Sequence, residues 1–220
     1  MTMLVAATAA FLLTHFISST PLRAVLVRAI GEWPYRGAYS LAAFATLGWM
    51  IWAYGKAPDE PLWTGLLHAP LVAMPLAFIL LACGLRRNPT LVGADKLLKS
   101  MEPARGIIRI TRHPVMWAII LWSLAHLAAR GDLKSVILFG GLFGLAALGT
   151  ASIDRKKANS AGEDWTRFAR ATSNIPFVAI AQGRNRIAWR EIGALYPAVG
   201  LGVFALVFAA HLWLFGVPPY

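Results

Sequence analysis

Six apolar stretches in a chain of 220 residues limit what it can fold into. They run near 3–19, 38–54, 66–85, 114–129, 135–153 and 192–216. Each approaches the roughly 20 residues that a helix needs to cross a bilayer core. In lipid every backbone N–H and C=O must be satisfied within the spanning segment, and a helix does this. The expectation is an all-α fold, a polytopic integral membrane bundle of about six transmembrane helices, forming one domain over 1–220. Composition agrees, with 58% hydrophobic and 14% charged residues, where a soluble domain carries about 25% charged. Nine tryptophans suit the membrane interfaces.

The basic residues set the expected orientation. Of 21 Lys and Arg, all but Lys56, Arg130 and Lys134 fall in the first, third and fifth connections. The third, 86–113, holds Arg86, Arg87, Lys96, Lys99, Arg105, Arg109 and Arg112. The fifth, 154–191, holds eight more, from Arg155 to Arg190. Positive residues stay cytoplasmic, so both termini are expected outside. The net charge of +11 follows from this asymmetry. No nucleic-acid motif accompanies it, so the expected partner is the lipid bilayer and not nucleic acid. The fifth connection reads as part-helical, with Glu163, Trp165, Phe168 and Ala169 at helical spacing before Ile175-Pro176-Phe177 breaks it. Its Arg and Trp content suggests a segment lying on the inner leaflet. The apolar N-terminus lacks a preceding basic region and is read as a retained helix.

Five histidines stand in or beside these stretches: His15, His68, His113, His126 and His211. An ionisable group inside a lipid-embedded helix is costly, and imidazole is a common ligand of metals and haem. On the boundaries above, His15 and His126 differ in depth by roughly 10 Å at about 1.5 Å per residue. His68 matches His126 better, and the sequence leaves both pairings open. His113 precedes Pro114 at a helix mouth, where Pro suits the first turn. The positive end of a helix favours anions, so Arg112 and His113 are expected to anchor the inner mouth of the site, against haem propionates or an anionic substrate. The lone cysteine, Cys83, reads as a packing residue. No Cys-x-x-Cys-His occurs, so any haem would be non-covalent. No carboxylate falls inside a stretch, which argues against a proton pump or an intramembrane aspartyl protease.

Several segments in order carry a family resemblance. They are Thr14-His15, Leu62-Trp63 with His68, Ile108-Arg109-Ile110-Thr111-Arg112-His113-Pro114, Trp122-Ser123-Leu124-Ala125-His126, and Thr172-Ser173-Asn174-Ile175-Pro176-Phe177 before Gly183-Arg184. Together they resemble the NnrU family of bacterial membrane proteins and its plant relatives, the zeta-carotene isomerases. The resemblance implies non-covalent haem b with His15 and His126 as axial ligands, and a multi-pass protein of a bacterial inner membrane with periplasmic termini. Thr14 and Ser123 would then be candidates to hold the second ring nitrogens. It implies a link to nitric oxide and nitrite metabolism, in a redox or assembly role with a redox partner protein. A haem-dependent cis-trans isomerase of a carotenoid, acting on a hydrophobic small molecule, is the alternative. The plant motif has cysteine where this chain has Ser123, which removes any ligand exchange through that sulfur. A third reading, an S-adenosylmethionine-dependent membrane methyltransferase, rests on Arg-His-Pro and the aromatic region ending at Ile175-Pro176. Those enzymes carry an acidic pair where this chain has Asp154-Arg155-Lys156-Lys157.

Overall fold

The computed structural model describes residues 1–219 and is all-α. In chain order the helices are α1 (Thr2–Ile17), α2 (Leu22–Ile30), α3 (Glu32–Lys56), α4 (Ala69–Gly84), α5 (Pro114–Arg130), α6 (Leu133–Ala171), α7 (Val178–Ala181), α8 (Trp189–Ile192) and α9 (Leu195–Phe215). Two 3₁₀ turns, Asp95–Leu97 and Gly106–Arg109, shape the path from α4 to α5. Among the described residues there is no strand, only an isolated bridge between Pro61 and Asp132.

Long α6 is the spine. Asp132 caps it by accepting a hydrogen bond from the Ser135 N–H at 2.8 Å. α1 and α5 pack against α6, α3 against α1, α4 against α5, and α9 against α4. The contacts fix their directions. Thr8 lies against Gly141 and Ser19 bonds Ser152, both at an offset of 133 residues, so α1 runs parallel to α6. α5 runs antiparallel to it, with His113 at Asp154, Met116 at Gly149 and His126 at Phe139. α4 in turn opposes α5, and α9 opposes α4, with Arg86 over Tyr196 and Phe78 against Phe204. The loops rich in Arg and Lys therefore gather at one end, called the basic end below.

The expectation of six spans is not met. By length and composition two helices can cross a membrane, α6 and α9, or three if α1 and α2 count as one broken span. The reasons are local. α1 is 16 residues long and the chain bends by 74° into α2 after Ser18-Ser19-Thr20, where Pro21 opens the new helix. Pro disfavours helical geometry in the residue before it. α4 and α5 are apolar but have only 16 and 17 residues. α3 has 25, but its charge-free part, 37–55, is diluted by Gly, Ser, Tyr and Trp and falls short in mean hydropathy.

Two further expectations change. The stretch 135–153 does not end at 153, because α6 continues through the basic residues to Gly162, whose φ of 51° interrupts it. And the 163–169 segment does not turn its aromatics to the inner leaflet. Trp165 and Phe168 are buried against Cys83, Leu98, Ile107 and Ile108, so they hold the 86–113 loop to the end of α6. That burial also places Cys83 in a packing role.

A half-buried ion pair pins the last connection. Arg109 donates to both oxygens of Glu191 at 2.8 Å, and the Gly106 N–H donates to the same carboxylate. The Arg109 bonds, then the Gly106 N–H, hold the Glu191 carboxyl at about 2, against an ordinary value of 4.5. A depressed carboxylate stabilises the fold above its unfolded value and loses that contribution as pH falls through its folded value. Stability should therefore decline between about pH 4.5 and pH 2. Glu191→Gln should flatten that decline in an acid titration of melting temperature; an unchanged acid limb would exclude this pair as its source.

Candidate functional site

His15 and His126 have the same local geometry. The Nδ1 of His15 bonds the carbonyl of Phe11 at 2.9 Å, and that of His126 bonds the carbonyl of Trp122 at 2.8 Å. A carbonyl only accepts, so each Nδ1 carries a proton, and the neutral form of such a ring has its lone pair on Nε2. That is the tautomer a metal needs. Aromatic neighbours hold the planes: Phe11 and Tyr39 beside His15, Trp122 and Phe139 beside His126. Thr14 does not serve as the second partner; its hydroxyl donates to the Ala10 carbonyl. The backbone one turn earlier does that work in both helices.

The depths can be read off α6. The 133-residue offset puts the backbone of His15 level with Leu148, while His126 stands at Phe139. That separation is about 13 Å at 1.5 Å per residue. Helical side chains lean toward their own N-terminus, and here each ring leans back far enough to reach the carbonyl four residues earlier. The lean brings the two imidazoles nearer in depth than their backbones, with the His126 ring beside Phe139 and the His15 ring beside Phe11 and Tyr39. Around them polar atoms are buried without partners among the described residues: Ser123 Oγ, one turn before His126, and Tyr35 OH, whose ring stacks on Tyr39.

His68 caps the start of α4 and is exposed. Leu66 bonds the Ala128 carbonyl, which puts His68 near the depth of His126, yet it faces outward. His211 bonds the Val217 carbonyl and stacks on Phe215 near the end of α9.

Arg112 and His113 sit at the other end of α5, about 20 Å from His126 by helix rise. Pro114 opens α5 as expected. Both side chains turn to Asp154, a residue the sequence reading passed over because it stands one position beyond the apolar stretch. Nε2 of His113 lies 2.6 Å from Asp154 Oδ1, and Arg112 Nε donates to both Asp154 oxygens at 3.0 and 3.1 Å. The chain around them is stitched to the 172–178 strap. Arg112 N–H donates to the Ser173 carbonyl, Thr111 and Trp117 both donate to the Asn174 carbonyl, and Asn174 reaches Thr150 on α6. His113 is completely buried and its Nδ1 has no partner. The cluster is a clamp joining α5, α6 and the strap. It lies at the opposite end of α5 from His126, with Asp154 already bonded by both side chains, so Arg112 and His113 are not brought to the His126 ring.

No cluster of three or more His, Cys, Asp or Glu that could cage a metal ion occurs among the described residues.

The model of the NnrU protein family matches residues 3–219. The 15-cis-zeta-carotene isomerase of Arabidopsis thaliana chloroplasts is 42% identical over 80 residues, 36% of this chain and 22% of that protein. The Zea mays chloroplast isomerase of the same name is 37% identical over 82 residues, 37% of this chain and 22% of that protein. The matched part is thus about a fifth of the length of these curated relatives. No solved structure matches the chain. With the family model covering nearly its whole length, the chain belongs to the NnrU family.

Proposed function

We propose that this protein binds haem b in the membrane, with Nε2 of His15 and of His126 as the two axial ligands. The observation that carries the reading is a pair of imidazoles on the inward-packed helices α1 and α5, each with Nδ1 committed to a backbone carbonyl and Nε2 without a bond among the described residues. The donor set supports a chelated metal over a bare ion. A bare ion needs three or four protein ligands, whereas a porphyrin brings four nitrogens and asks the protein for one or two. The Phe11 and Trp122 carbonyls fix ring orientation and raise ligand basicity. Phe11, Tyr39, Trp122 and Phe139 supply the apolar surroundings. Such a haem supplies redox or ligand-binding chemistry at its iron, and the NnrU membership favours a role in nitric oxide or nitrite metabolism. We place the protein in a bacterial inner membrane with its basic end in the cytoplasm and both termini periplasmic.

The test is the absorption spectrum of the purified protein and its single variants. The wild type should show a Soret band of a low-spin haem. His15→Ala and His126→Ala should each lose most of the bound haem. Two single variants that both keep the wild-type spectrum would overturn the assignment and make His68 the next candidate.

A second reading, a haem-dependent carotenoid isomerase, is favoured by the names of the two plant relatives. Conversion of 15-cis-zeta-carotene by the haem-loaded protein, followed by chromatography, distinguishes it. No conversion under reducing or oxidising conditions leaves the nitrogen-oxide role.

A further inference from the structure

At the basic end, between the close of α4 and the start of α9, lies a cavity of about 130 Å³. Its lining includes Arg86, Arg87, Arg105, Gly106, Glu191 and Tyr196. That is smaller than the roughly 300–1,000 Å³ of a pocket for a whole small molecule, and it suits a single headgroup. Its charge is unbalanced. Glu191, the carboxylate in the wall, is saturated by Arg109 and the Gly106 N–H. Arg86 and Arg87 make no ion pair among the described residues. Arg105 has only Glu102 at 3.8 Å, and that carboxylate is 64% exposed.

The arginines are also positioned. The Arg86 guanidinium sits 4.9 Å from the centre of the Tyr196 ring. The turn that follows is anchored by buried Asn88, which donates to the Gly84 carbonyl and accepts from the N–H and hydroxyl of Thr90. Arg87 is held at φ 47°, a left-handed conformation that disfavours a residue with a Cβ. Such strain persists where the surroundings impose it and clusters at ligand sites. The mouth is flanked by apolar side chains: Leu85 is 61% exposed, and Leu195 and Val199 stand exposed on the first turns of α9.

We propose that this cavity binds a phosphate group through Arg86, Arg87 and Arg105, and that the phosphate belongs to an anionic phospholipid whose chains lie along Leu85, Leu195 and Val199. Guanidinium forks match phosphate oxygens, and basic pockets between membrane helices on the cytoplasmic side take anionic headgroups. The site stands apart from the imidazole pair and does not depend on haem.

Native mass spectrometry of the full chain in detergent tests it, titrated separately with phosphatidylglycerol, phosphatidylcholine and inorganic phosphate. The wild type should retain one phosphatidylglycerol and discriminate against phosphatidylcholine. Arg86→Gln with Arg105→Gln should weaken phosphatidylglycerol binding on the order of 20-fold, about fivefold for each charge removed. The pair Arg28→Gln with Arg155→Gln, equally basic but elsewhere, should change it little. Arg87→Gly relieves the backbone and removes the guanidinium, so it should keep or raise thermal stability while weakening lipid retention. Inorganic phosphate binding with the same arginine dependence, without phosphatidylglycerol binding, would overturn the lipid source and leave a soluble phosphate. Equal weakening in the two double variants, or none in either, would overturn the site.

Discussion

Asp154→Ala should lower the melting temperature of the purified protein by on the order of 10 °C. The substitution leaves Arg112 and the fully buried His113 facing one another without a counter-charge. Breaking a buried pair from one side costs about 3–5 kcal/mol, because the remaining group is desolvated and unpaired. In a chain of this size each kcal/mol is worth roughly 2–4 °C. The loss should spread beyond the pair, since Arg112 and Thr111 also carry the strap through the carbonyls of Ser173 and Asn174. Asp154→Asn keeps an acceptor for Arg112 and should lose less. A melting temperature for Asp154→Ala within about 2 °C of wild type would show that the cluster does not hold the helices together.

The second large effect is expected at Gly200, where α9 meets α4. A Cβ there would stand 2.6 Å from the Phe78 carbonyl oxygen and 2.9 Å from the Ile79 Cα. Both are backbone atoms, so no rotamer change relieves the contact. Gly200 is also the buried residue of α9, and α4 is the principal neighbour of that helix. Gly200→Leu should drive α9 away from α4 at a cost above the usual 1–3 kcal/mol of overpacking. Gly202→Leu is the matched control, since nothing lies within 4 Å of its Cβ position. Equal melting temperatures for the two variants would contradict the close packing at Gly200.

The sequence made the helices and their polarity legible, but not the number that cross. Apolar runs located α1, α4, α5 and α9 to within three residues, but began α3 at 38 where it starts at Glu32 and closed α6 at 153 where it runs on to Ala171. The alternation of basic loops foretold that those loops share one end. What it could not supply is the length of each helix inside its apolar stretch. The stretch 66–85 reads as continuous, yet Leu66 and Trp63 are occupied by the backbone of Ala128 and Gly131, so α4 starts only at Ala69. The stretch ending at 153 reads as bounded by charge, but Lys157 bonds Asp95 and the Leu91 carbonyl, which holds the basic turn in the helix. The site divides in the same way. His15 and His126 were visible as imidazoles in apolar surroundings. Their partners were not, because a backbone carbonyl one turn away leaves no mark in composition. Asp154 was hidden for a different reason: a lone acid among Arg155, Lys156 and Lys157 looks solvated, and only the antiparallel register of α5 shows that it turns inward.

The opposed directions of α1 and α5 carry a consequence for anyone who would rebuild this protein. Two histidines that lean toward their own N-termini approach each other in depth when their helices run in opposite senses. With the helices in the same sense and every residue kept at its present height on α6, both would lean the same way and stay as far apart in depth as their backbones. The reach between Nε2 atoms is therefore a vector sum, set by chain polarity as much as by sequence position. A permuted chain that reversed α1 would have to shift its histidine along the helix by twice that lean to restore the present approach.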